Sequence, residues 1–171
     1  MAEDLSAFRE YAAGRLDRLR RTAYLLCGDW HAADDLASTV LVKLLRHWRR
    51  ISTVDDLDGY VRRMLLRAWL DERRRPWRRE HPTAELPEPA APADPGGRDD
   101  GGVVNRVTLV THLAMLPPRR RAVLVLRFFE DLSVEQTAEV LGCSTGTVKS
   151  QTARALETMR IRLAAADAPE N

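Results

Sequence analysis

Between Arg62 and Glu80 eight arginines stand against three acidic residues, a local charge of +5, with Trp69 and Trp77 set among them. Arginine neutralises phosphate, and an exposed indole stacks on an unpaired base. A basic track with interleaved aromatics therefore suits single-stranded or melting DNA better than duplex alone. Arg62, Arg63, Arg67, Trp69, Arg73, Arg74 and Arg75 are the candidate contacts. The alternative is a core role for Trp69 and a solvated face for the arginines; Trp77, beside Pro76, is less suited to burial.

A second group lies further along. Ser144, Thr147, Lys149, Ser150, Gln151 and Arg154 can all hydrogen-bond phosphates or base edges, and from Ser144 to Arg162 four bases face one acid. A short helical pattern and the turn Leu141-Gly142-Cys143 precede them. Helix, tight glycine turn and second helix is the layout that places the second helix in a major groove, with its N-terminal N–H groups toward phosphate. The competing reading is the solvated face of an ordinary helical hairpin. A third group, Asp34-Asp35-Leu36, opens another helix. Acids there complement the helix dipole, and the same face could dock on a basic partner helix; both readings stand.

No catalytic set accompanies these groups. There is no glycine-rich phosphate loop, and His31, His47, His81 and His112 are scattered without a nucleophile or metal spacing. Cys27 and Cys143 are too few for a disulfide framework and suit packing better than reaction. The expectation is a binding protein that is not an enzyme and uses no cofactor and no metal.

The elements that must position these residues are helical. Leu5, Phe8, Ala12, Leu16, Leu19, Ala23 and Leu26 form one apolar stripe, ended by Gly28, with Asp29 as N-cap of the next helix. There Ala33, Leu36, Ala37, Val40, Leu41, Leu44 and Trp48 form a second stripe. Thr53-x-x-Asp56 resembles a capping box ahead of a third, made by Leu57, Tyr60, Val61, Met64 and Leu65. A further helix is expected from Val103 to Met115, and Pro117-Pro118 opens another running to about Glu130. Ser133-x-x-Gln136 is a capping box for a short helix that Gly142 ends. Ser144 then caps a last helix with Val148, Thr152, Ala155, Leu156, Met159 and Leu163 inward.

Between these groups, residues 81–101 hold five prolines, three glycines and five acids, a composition that cannot order a core. The expected fold is all-α, with two small helical domains at 1–80 and 103–166 joined by a flexible proline-rich acidic linker at 81–102. Such small domains are marginal alone, which a large partner holding both would explain. The chain has 171 residues and a net charge of only +2, which hides the uneven placement; 25 of its 27 basic residues are arginine. No apolar stretch is long enough to span a bilayer, and the acidic, amphipathic start lacks a signal core. A cytoplasmic protein with no membrane contact is expected.

The run from Leu116-Pro-Pro-Arg through Phe128-Phe-Glu-Asp-Leu-Ser to Gly142-Cys-Ser-Thr-Gly-Thr-Val-Lys-Ser closely resembles the C-terminal domain of extracytoplasmic-function sigma factors, most of all the actinobacterial SigE-like group. Ala33-Asp-Asp-Leu36 and Gly59-Tyr-Val-Arg-Arg63 resemble their first domain. The resemblance implies a transcription initiation factor whose partners are core RNA polymerase and promoter DNA, with an anti-sigma factor as a further partner it allows. It implies that Asp34, Asp35, Leu36, Thr39 and Lys43 dock on the clamp helices of the polymerase's largest subunit, and that the beta flap is a second polymerase contact. It implies that Arg62 to Arg75 opens and reads the minus-ten element, and that Ser144, Gly146, Thr147, Lys149, Ser150, Gln151 and Arg154 read the minus-thirty-five element, with Arg127 on a phosphate. Arg67 stands where many relatives have asparagine, Gln151 where arginine is common, and Ser38-Thr39 where glutamine and an acid are common. The competing function is a stand-alone dimeric helix-turn-helix regulator binding a palindrome, for which the arginine and tryptophan track would have no use.

Overall fold

The computed structural model describes residues 2–74 and 108–166, and every regular element among them is helical. Helix α1 (Ala2–Cys27) ends where Gly28 takes a positive φ of 77°. Asp29 then caps α2 (Trp30–Arg46), its carboxylate accepting from Ala32 N at 2.8 Å. The expected second stripe breaks before its end: the chain turns at His47, and Trp48 enters a separate short helix, α3 (Trp48–Ile51), still buried. Helix α4 (Leu57–Arg74) carries the arginine track. Its start corrects the expected capping box. Asp56 rather than Thr53 holds the first turn, accepting from Gly59 N at 2.8 Å, while the Thr53 hydroxyl donates back to Arg50 O. A Cβ at Gly59 would lie 1.8 Å from the Asp56 carboxylate, so any larger residue there would force this cap to shift.

Leu26, Leu36, Val40, Leu44, Leu65 and Trp69 fill the N-terminal core, and Phe8 meets Trp48 edge-on at 5.4 Å. Leu5 and Leu16 fall short of it and remain exposed. Tyr11 and Arg15 of α1 converge on Asp58 of α4 at 2.8 and 3.0 Å. Burial raises the Asp58 carboxyl, but hydrogen bonds from Arg15 and Tyr11 and the charges of Arg15 and Arg62 outweigh it, so its pKa lies below the ordinary 3.8. A depressed acid stabilises the fold above its unfolded pKa and loses that contribution as pH falls through the depressed value. Asp58→Asn should therefore lower the thermal midpoint near neutral pH, and the gap to the parent should close as pH falls through the depressed pKa of Asp58. A gap that stayed constant through the acid limb of a melting series would show that the Asp58 charge contributes nothing.

The C-terminal half is helical over 108–114 (α5); the expected start of that helix at Val103 lies outside the described residues, as do the 81–102 segment and Trp77. Helix α6 (Pro118–Leu124) has its proline in the first turn and passes into one π-helical stretch, Val125–Phe129, closed by Glu130 N to Val125 O at 3.0 Å. Helices α7 (Val134–Leu141) and α8 (Thr145–Ala166) follow. Leu156 and Leu163, expected inward, are 41% and 37% exposed, because α8 turns those residues away from the α5–α6 layer. Across the two halves, Ala122, Val125, Leu126 and Leu132 pack into the same cluster as Leu26, Leu65, Leu66 and Trp69, while Leu113, Leu116, Leu124, Ala155 and Met159 form a second cluster within the C-terminal half.

Candidate nucleic-acid interface

The α7–α8 unit is built from local signals. Ser133 Oγ accepts from Gln136 N at 3.0 Å while Gln136 Oε1 accepts from Ser133 N at 2.9 Å, a reciprocal box that fixes the start of α7. At its end Gly142 is left-handed with φ 63°, and Cys143 N reaches back to Ala138 O at 3.0 Å while Gly142 N bonds Glu139 O, the pairing of a Schellman turn. The turn seats Val148 against Val123 and Ala138 in a small private core. This holds α8 rigidly across α7 with its N-terminus outward.

Ser144 Oγ accepts from Thr147 N at 3.1 Å and also pairs with the Thr147 hydroxyl at 2.9 Å. These two hydroxyls are occupied in shaping the helix start. Gly146, Lys149, Ser150 and Arg154 are exposed, and the Lys149 and Arg154 side chains enter no ion pair among the described residues. Gln151 is half-buried and accepts from Arg120 at 3.3 Å, which draws that arginine beside the same surface. Arg127 is turned inward: it donates to Leu132 O, its Nε is buried without a partner, and its guanidinium lies against Phe128. It braces the loop into α7 instead of reaching outward as a phosphate contact would.

The arginine track divides. Arg67, Arg73 and Arg74 are exposed on α4, whereas Arg62 and Arg63 each have an acid of the C-terminal half 3.6 Å away, Glu130 and Glu139. Arg75 lies outside the described residues. Trp69 departs from the expectation. It is 2% exposed, with the guanidinium groups of Arg73 and Arg121 5.3 and 5.6 Å from its ring centroid. In this conformation it is a core residue that no base can reach, because it sits on the inward face of α4 with Val61, Leu65 and Leu66.

On α2, Asp35, Thr39 and Lys43 form an exposed line, and Asp34 is held by Arg20 at 2.6 Å. The hydrogen bond from Arg20 opposes burial and leaves the Asp34 carboxyl below its ordinary range. Leu36 is 3% exposed and belongs to the core, so it cannot also present itself to a partner. Val42, 50% exposed, stands beside the line instead, and Leu45, 43% exposed, lies on the other flank of the helix. Their absence from the inward stripe of the helix was the available signal for them.

Two conserved-family descriptions match the chain, Sigma-70 region 2 over residues 13–79 and Sigma-70 region 4 over residues 106–159. The chain is 38% identical over 160 residues to the RNA polymerase sigma-E factor of Streptomyces coelicolor, covering 94% of this chain and 88% of that protein. It is 30% identical to the ECF RNA polymerase sigma factor SigM of Mycobacterium tuberculosis, covering 96% and 79%. The fold is shared with the sigma factor RpoE of Bartonella quintana, solved with the anti-sigma factor NepR, at a TM-score of 0.72 and 24% identity over 92% of this chain and 96% of that one. CnrH, solved with the cytosolic domain of CnrY, superposes at 0.63 with 20% identity over 96% and 91%. No helix among the described residues is long and apolar enough to cross a membrane. A chain with both regions in this order, and this identity over nearly the full length of its relatives, belongs to the extracytoplasmic-function branch of the sigma-70 family.

Proposed function

We propose that this chain binds core RNA polymerase and directs it to promoters, with residues 1–80 engaging the polymerase and the minus-ten element and residues 103–166 reading the minus-thirty-five element. The exposed line Asp35, Thr39 and Lys43, with Val42 beside it, is the face offered to the polymerase clamp. The beta flap is the second polymerase contact. Arg67, Arg73 and Arg74, with Arg62 and Arg63, form the track for the opened strand; Gly146, Lys149, Ser150, Gln151 and Arg154 face the duplex. The observation that carries this reading is the pairing, in one chain, of a capped helix-turn-helix whose Lys149 and Arg154 are exposed and enter no ion pair among the described residues with a separate arginine track on α4. A stand-alone dimeric regulator would need the first and has no use for the second. The chain works in this reading as a specificity subunit in the cytoplasm, without chemistry of its own.

Purified chain mixed with core polymerase should co-elute as a stable complex and support run-off transcription from a restricted set of promoters. Failure to co-elute with core, with the chain shown to be folded, would overturn the proposal.

A further inference from the structure

We propose that Arg120 sets a base preference of the recognition helix: by donating to Gln151 it turns that amide so that α8 offers only hydrogen-bond donors there, and the base edge this selects is guanine. The preference rests on the duplex reading proposed above.

Arg120 reaches α8 because α6 is fixed against it. Val123 and Leu124 follow Arg120 by three and four positions, so the three share one face of α6. That face meets α8: Val123 clusters with Val148, and Leu124 with Ala155 and Met159. Next in the chain, Arg121 is tied to the carbonyls of Leu26, Ala114 and Leu116, which holds the backbone at this turn. Gln151 lies between Val148 and Ala155 on α8, and Arg120 Nε donates to its Oε1 at 3.3 Å. Both side chains are half-buried, and neither enters another hydrogen bond or an ion pair among the described residues.

The chemistry of this pair dictates which way the amide points. A guanidinium carries five N–H donors and no acceptor, so the atom facing it is the amide oxygen, and the NH2 is the end left for a ligand. Gln151 follows Thr147 by four positions and precedes Arg154 by three, so it borders the polar face that carries both. A free glutamine pairs with adenine by accepting from N6 while donating to N7. With its oxygen held by Arg120, Gln151 does not accept, and adenine N6 or cytosine N4 would meet a donor where each needs an acceptor. Guanine presents two acceptors in the major groove, O6 and N7, and thymine one, O4. The Gln151 NH2, with the remaining N–H groups of Arg120 beside it, suits the edge with two acceptors. Arg120 acts through Gln151 and is a positioning residue.

The test uses the full chain assembled with core polymerase, in initiation assays on promoters that carry each base pair in turn at each position of the minus-thirty-five element. The parent should favour guanine over adenine by about tenfold at the position that Gln151→Ala makes indifferent. Arg120→Met keeps the aliphatic stem and removes the donor; it should admit adenine there, lowering the preference by about tenfold, with preferences elsewhere unchanged. Arg120→Lys, which still donates, should keep the parent's preference. Adding Arg120→Met to Gln151→Ala should change nothing further, since the effect passes through the amide. A parent that favours adenine at that position would overturn the role of Arg120, as would an Arg120→Met variant with unchanged preference or with a uniform fall at every position; each leaves the duplex reading standing. A parent indifferent to every base of the element would overturn the duplex reading and the role of Arg120 together.

Discussion

Arg121→Ala is expected to destabilise the protein by about 3–5 kcal/mol, the largest loss for any single side chain outside the aliphatic core. Arg121 is 1% exposed. Burial pushes its pKa down to about 10, aided by the nearby charge of Arg73, and still leaves it a cation at neutral pH. No carboxylate among the described residues neutralises it; its positive charge is met by the carbonyls of Leu26, Ala114 and Leu116 and by the face of Trp69. Truncation leaves those acceptors buried and unsatisfied, each at about 1–3 kcal/mol, and opens a cavity against Trp69. Helix α1 has no basic residue in its last turn, so nothing nearby replaces the lost donor. Arg121→Lys keeps the charge but not the fork that reaches three oxygens from one side, and should recover less than half of the loss. Urea denaturation of the full chain measures both. A loss below about 1 kcal/mol for Arg121→Ala would mean that water takes over the three carbonyls and that the guanidinium is dispensable.

The same residue marks where reading the sequence stops. Signals confined to one turn were legible: the Ser133–Gln136 box, the left-handed Gly142, the Asp29 cap and Pro118 at the start of α6 all stand where their residue types put them. So was the split of α2 into a buried stripe and an exposed line. What escaped depends on partners distant in the chain. Trp69 lies in an arginine run, which made base stacking attractive, but a groove filled by Arg121 decides its burial and no local pattern encodes that groove. Leu36 is claimed by the core because Leu26 and Val40 meet it there, although its neighbours are acidic. Thr53 and Asp56 are both able caps, and the space left by Gly59 selects the second. Glu130 reads as a surface acid until Thr22, Arg18 and Arg62 are brought around it. Within the candidate site, then, the residue types on α8 were readable from the sequence, while the state of the track on α4 depends on how the two halves meet.

Arg154→Ala and Lys149→Ala should both weaken transcription that depends on the minus-thirty-five element, in distinguishable ways. Val148, Ala155 and Met159 fix the inward face of α8. Arg154 is five positions beyond Lys149, which sets them about 140° apart around the helix. Both cannot address the floor of one groove. Arg154 shares a face with Ser150 and Thr147, one turn apart, and is placed to fork onto a base edge; losing such a contact should cost about 1–3 kcal/mol and relax preference at one position. Lys149 stands at the margin, where a compact ammonium neutralises phosphate; its loss should weaken all sequences alike and lower the salt dependence by about one ion. Initiation assays with purified polymerase over a range of salt, on promoters altered singly across the element, separate the two. Retention of core polymerase should be unchanged in both variants, because the α2 face lies on the other half of the molecule. Loss of that retention, or an Arg154→Ala defect of equal size on promoters lacking the element, would remove α8 from the duplex and return its exposed polar face to solvent.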